Sequence, residues 1–267
     1  MRTEPLPLFR RALADSWRSL IGWSLGVAAA LSLYLPLFPS IGGSKQMQEL
    51  IDNLPKQLVE SLSYDQISTG AGYTQSTFYG LIGFALITIA AVSWGTAAIA
   101  GDEENGSLEL TLAHGVTRTQ VVLERLLAIV VRLLWLTVLA AAIVLALNSS
   151  AKLELDAVNV LAISAAWFGL ALVTATFGLA VGALTGRRIF ATSAAAGIAV
   201  VGYVLNAVSN QSDDLDWLHR FSPYAWAFHE SPLVNGADRA GLALLYGLSL
   251  LFAAVAVVAL RRRDIAG

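Results

Sequence analysis

Six long stretches of this chain carry no charged residue: 19–44, 66–101, 133–151, 157–186, 189–212 and 240–260. A helix rises 1.5 Å per residue, so about 20 residues cross the ~30 Å apolar core of a bilayer. Every run is long enough except the third, whose apolar part, Leu133–Leu147, is too short. That helix must begin near Leu126 and carry Arg132 inside it. The pattern predicts an all-α integral membrane protein, one domain over 1–267, with spans near 20–38, 77–100, 126–147, 158–185, 191–208 and 241–260. The first apolar stretch exceeds the 7–15 residues of a signal-peptide core, which predicts a retained helix.

Composition closes off the other classes. Charged residues make up 13% of the chain and hydrophobic ones 56%, too little charge to cover a soluble surface. The net charge of −2 argues against nucleic acid as a partner. With no cysteine, thiolate nucleophiles, iron–sulfur clusters and cysteine-ligated zinc are excluded. Apart from Arg132, the spans hold no ionisable acid or base, which speaks against a proton- or sodium-coupled carrier and an intramembrane enzyme.

Lysine and arginine set the expected orientation. With the N-terminus inside, twelve of them fall on that side: Arg2, Arg10, Arg11, Arg18, Arg118, Arg125, Arg132, Arg187, Arg188 and Arg261–Arg263. Five fall outside: Lys45, Lys56, Lys152, Arg220 and Arg239. The excess predicts both termini in the cytoplasm of a multi-pass inner or plasma membrane protein.

Between the spans, Phe9, Leu13, Trp17 and Leu20 recur at helical spacing, which suits an N-terminal interfacial helix or a simple basic flank. Met47, Leu50, Ile51, Leu54, Leu58, Val59 and Leu62 mark an outer amphipathic helix, kinked at Pro55. The last outer segment turns from Asp213, Asp214 and Asp216 to Trp217, Phe221, Tyr224, Trp226 and Phe228. It suits short re-entrant helices or an irregular interfacial loop. His229-Glu230 opens like a zincin motif, but Leu233 stands where the second histidine belongs. His114, His219 and His229 lie apart in sequence, and the expectation is no metal site. Gly22/Gly26 and Gly178/Gly182/Gly186 predict close helix approaches. Arg132 is expected to snorkel to the interface or to form a structural ion pair.

The segment 101–127, GDEENGSLELTLAHGVTRTQVVLERLL, is the most informative. Gly106 permits a turn, Leu108, Leu112 and Ala113 suit one helical face, Gly115 breaks the helix and Thr117 can cap the next. A short amphipathic helix is expected between two spans, either an interfacial connector or a docking surface for a cytoplasmic partner.

This stretch resembles the permease subunit of type-2 ABC transporters. The resemblance rests on the acidic pair Glu103-Glu104, then Gly106-Ser107-Leu108-Glu109-Leu110-Thr111-Leu112-Ala113, then Thr117-Arg118 and Arg125. Thr111 replaces a usual leucine, and His114-Gly115 stands where proline is common. Leu54-Pro55 and the ending Arg262-Arg263-Asp264-Ile265 are similar to the single six-span branch. The likeness implies that 101–125 is the coupling-helix loop, with Glu103, Glu104, Gly106, Ser107, Leu108, Glu109, Leu112, Ala113 and Arg118 docking an ATPase. Leu108 and Leu112 would fill its groove. It implies a second permease chain, as homodimer or heterodimer, two ATPase copies and an exporter's path lined by the second and fifth spans. Ser93, Thr96, Tyr203 and Asn206 are the polar candidates for that path. No Gly-x-x-x-x-Gly-Lys-(Ser/Thr) is present, and Lys45, Lys56 and Lys152 fit no phosphate loop. ATP and magnesium are therefore expected on the partner ATPase, with no cofactor on this chain. A non-transporting membrane module that signals or scaffolds is the alternative.

Overall fold

A computed structural model describes residues 6–41 and 68–263. The amphipathic helix expected around Met47–Leu62 lies outside the described residues. Six helices are long and apolar enough to cross a membrane, and the described residues contain no strand.

The first helix, α1 (Pro7–Tyr34), starts at a proline, whose fixed φ suits a first helical turn. It runs unbroken, so Phe9, Leu13 and Trp17 are early turns of the same helix as the first span. The second, α2 (Gly70–Glu104), is continuous, capped by Thr69 Oγ1 accepting from Gly72 N at 3.0 Å. It widens to i→i+5 turns over Thr74–Ile82 and again over Ala97–Gly101. Such turns are rare and recur at functional sites. A short α3 (Ser107–Ala113) follows, then α4 (Arg118–Asn148), α5 (Ala157–Thr185) and α6 (Arg188–Ser209). A 3₁₀ segment, Asp213–Phe221, leads to α7 (Pro223–Phe228), α8 (Pro232–Asn235) and α9 (Arg239–Arg262).

The caps are those the residues allow. Thr117 Oγ1 accepts from Gln120 N at 3.2 Å, as its position before the helix predicts. Asp156 caps α5 and Asp238 caps α9, each through two backbone amides. Gly106, Gly115 and Gly186 take φ of +69°, +82° and +67°, the left-handed turns at which α2, α3 and α5 stop.

The centre of the bundle is α5, which packs on α2, α4, α6 and α9. Small residues let it approach. A Cβ on Gly95 would collide with the Ala175 backbone, and one on Gly178 would press on Thr96 and Ala195. Gly182 faces Ala100 and Ala191 in the same way, so the glycine series on α5 is a packing seam. Gly22 has nothing within 4 Å of where its Cβ would be, so that pair makes no comparable seam among the described residues.

Candidate functional site

The end of the bundle that carries α3 is tied together by charge. Asp102, on the last turn of α2, pairs with Arg125 of α4. Glu103 pairs with Arg263 at the end of α9, and Arg263 Nη1 also donates to Ala183 O of α5 at 3.0 Å. Glu104 Oε1 accepts from Arg188 N at 2.8 Å, capping the start of α6. Arg118 donates through Nη1 to Leu260 O at 3.1 Å and to Arg263 O, covering the last carbonyls of α9. The side chains of the two ion pairs are 17–23% exposed, partly out of water, where pairing matters more than on an open surface. The acids of the motif thus fasten the loop to α4, α5, α6 and α9.

The face of α3 differs from the one expected. Leu108 is 1% exposed and belongs to the bundle's own core, and Leu112 packs against that core. The apolar face assigned to an ATPase groove therefore points inward. Its spacing was read correctly, but spacing alone does not say which side the bundle covers. Glu109, Leu110, Ala113 and His114 face out, with Leu110 65% exposed. Ser107 is half-buried and donates to Asp102 O at 3.0 Å, locking the turn at Gly106.

Four polar residues were expected along a path. Thr96 is 1% exposed and accepts from Thr192 Oγ1 at 3.4 Å, between α2 and α6. Tyr203 stacks on Phe84 across the same pair of helices, with ring centroids 6.0 Å apart. Asn206 is buried on α6, at 6% exposure. Ser93 instead lines a cavity with Arg132.

Sequence reading missed Glu124. It is 3% exposed, and its Oε2 accepts from Phe9 N at 2.9 Å while Oε1 accepts from Gln120 Nε2 at 2.7 Å. A carboxylate there suits the positive N-terminal end of α1 and pins that helix to α4. A glutamate beside the basic entry of a span was the only signal, and it does not name its partner.

At the opposite end the bonds are polar and aromatic. Gln75 Nε2 donates to Phe228 O and its Oε1 accepts from Leu233 N, each at 3.2 Å. Tyr224 OH donates to Gly80 O at 2.7 Å, and Asn159 Nδ2 donates to Val234 O at 3.0 Å. The short helices α7 and α8 are held down by these contacts. Here the fold also joins histidines that sequence keeps apart: the His219 and His229 rings stack 3.9 Å apart. Asp216, His219 and His229 bring potential ligand atoms within 4.8 Å of one another. The two ring nitrogens of His219 already lie 2.9 Å from Asp216 Oδ1 and Asn210 Oδ1, so it acts as a hydrogen-bonded strut. Burial first, and His219 second, lower the His229 pKa below the usual histidine value.

A bundle of six helices long and apolar enough to cross a membrane, with a short helix clamped across one end, defines a multi-pass membrane protein. Residues 6–265 match the model of the ABC-2 family transporter protein family, and the chain belongs to that family. It is a permease subunit of an ABC transporter, a family that pairs with an ATPase subunit in a membrane complex. No curated protein matches the chain in sequence.

Proposed function

We propose that this chain is the permease half of an ATP-driven exporter and that α3 is its coupling helix. One observation supports the reading above all others. The three acids before α3 and the arginine after it bind α4, α6 and α9, and Arg263 carries the tie on to α5. A push on α3 therefore reaches α4, α5, α6 and α9 without bending a free loop.

In this reading ATP and magnesium sit on a separate ATPase, two copies of which close beneath two facing permease chains. The α3 end and both termini are cytoplasmic. Contact falls to the outward face, Glu109, Leu110, Ala113 and His114, whereas Leu108 and Leu112 transmit load into the core. Glu103, Glu104 and Arg118 act by bracing α3, and Gly106 and Ser107 set its entry angle. Thr96 and Tyr203, on the α2–α6 interface, and Asn206 are candidates for the path between chains, together with Ser93.

Leu110→Asp tests the assignment. The variant should insert and fold like the native chain, because Leu110 touches little of the permease. It should lose recovery of a phosphate-loop ATPase in mild detergent and lose stimulated ATP hydrolysis. Unchanged recovery and hydrolysis would sink the docking role.

A further inference from the structure

An arginine inside a membrane helix needs an anion, and Arg132 has none of its own. Its residue is 6% exposed. The guanidinium donates through Nε to Ala128 O, one turn back on its own helix, at 3.0 Å. Its carbon lies 5.1 Å from the centre of the Trp94 ring, which Ser19 of α1 holds through the indole N–H at 3.2 Å. Among the described residues no carboxylate pairs with Arg132, so the expected ion pair is not formed. Nη1 and Nη2 are left for something else. A buried charge without a partner is unfavourable, so an anion that reaches Arg132 is held there.

The surroundings supply room for one. Arg132 lines an open-mouthed cavity of about 840 Å³ formed by α1, the end of α2, α3 and the start of α4. Its other charges cancel: Arg11 pairs with Asp15 at 3.6 Å, and Arg125 pairs with Asp102. The cavity therefore carries one unneutralised positive charge, that of Arg132. In the same wall Arg125 Nε is buried without an acceptor. The rest of the lining is mostly apolar, including Leu8, Ala12 and Ala97. Beside the hydroxyls of Ser16, Ser19, Ser93, Ser107 and Thr111, which suit a phosphate, the apolar part of the wall offers an acyl chain a surface that a small hydrated anion does not use. Outside, α1 presents Arg10 and Arg18 as exposed residues, which draw anionic headgroups toward this flank.

We propose that this cavity binds a phosphate-bearing anion, and that its source is the headgroup of an anionic lipid. Arg132 takes the phosphate, Trp94 holds the guanidinium in place, and the apolar wall takes the first part of an acyl chain. The occupant lies against Ser107, Leu110, Thr111 and His114 of α3, on the side of that helix that carries its outward residues. This inference stands on the cavity and on Arg132, and it does not need the chain to be an exporter.

The test is lipid binding to the purified protein with whatever partners it retains, delipidated in nonionic detergent. Phosphatidylglycerol should raise the thermal midpoint, and phosphatidylcholine should not. Arg132→Gln should weaken phosphatidylglycerol binding about tenfold or more, the worth of a charge-assisted hydrogen bond. Arg132→Lys should restore part of it. Ala97→Phe fills the cavity without touching Arg132 and should block binding too, which covers the case in which Arg132→Gln fails to fold. Phosphatidylglycerol binding that survives both changes overturns the site. Inorganic phosphate that stabilises the protein as well as the lipid does, through Arg132, overturns the lipid as its source.

Discussion

The two ends of this bundle are joined by different forces. At the α3 end the tie points are Asp102–Arg125, Glu103–Arg263, Glu104 on the α6 amide and Arg118 on the α9 carbonyls. At the opposite end they are Gln75, Tyr224 and Asn159 hydrogen bonds to backbone, around a packed aromatic group. There Trp167 lies 5.9 Å from Phe78 and 5.7 Å, edge-on, from Tyr79. Charge pairs tolerate sliding, since Coulomb attraction falls slowly with distance. Interlocked rings and short backbone hydrogen bonds do not. The contrast suits a molecule that moves at one end and is hinged at the other.

The largest effect is expected where rings interlock. Trp167→Ala should cost about 3 kcal/mol or more of stability, read as unfolding in detergent, because Trp167 is fully buried in the core. A loss below that of a surface substitution would show that the far end is not rigid. Next, Glu103→Gln should cost about 2 kcal/mol, between the values for exposed and buried pairs. Its loss should shrink as salt is raised, and the Trp167 loss should not. Equal salt dependence would erase the contrast between the ends. Tyr224→Phe should cost about 1 kcal/mol by removing its hydrogen bond to Gly80 O. Proteolysis of the far-end cap would then quicken while the α3 end kept its protection.

The smallest effect is one of pH. The folded His229 has a lowered pKa, so the folded state holds its proton less tightly than the open chain. Its contribution is fully present above the open-chain value of about 6.5 and is lost as pH falls through the lower folded value. Acidification should loosen the 213–235 segment, and His229→Gln should remove that part of the pH dependence. An unchanged acid profile in the variant would assign the effect elsewhere.

Much of the architecture was legible in one dimension. Runs without charge marked the spans because a bilayer excludes charge at every point along a helix, whatever its neighbours. Thr117, Gly106 and Gly115 marked their caps and turns because those choices depend on local backbone.

What a residue faces was not legible. Leu108 and Leu110 are both leucines of one short helix, and only the packing of α3 on the bundle buries the first and exposes the second. Glu103, Glu124 and Arg132 are all charges on spanning helices, yet one binds α9, one caps α1 and one is left without a carboxylate among the described residues. His219 and His229 meet because a 3₁₀ segment folds back beneath α7. Local sequence determined which helices are long and apolar enough to cross a membrane, since that follows from transfer of each segment out of water. Tertiary structure alone decided which charges are paired and which one waits for a ligand, since pairing depends on distances between helices far apart in the chain.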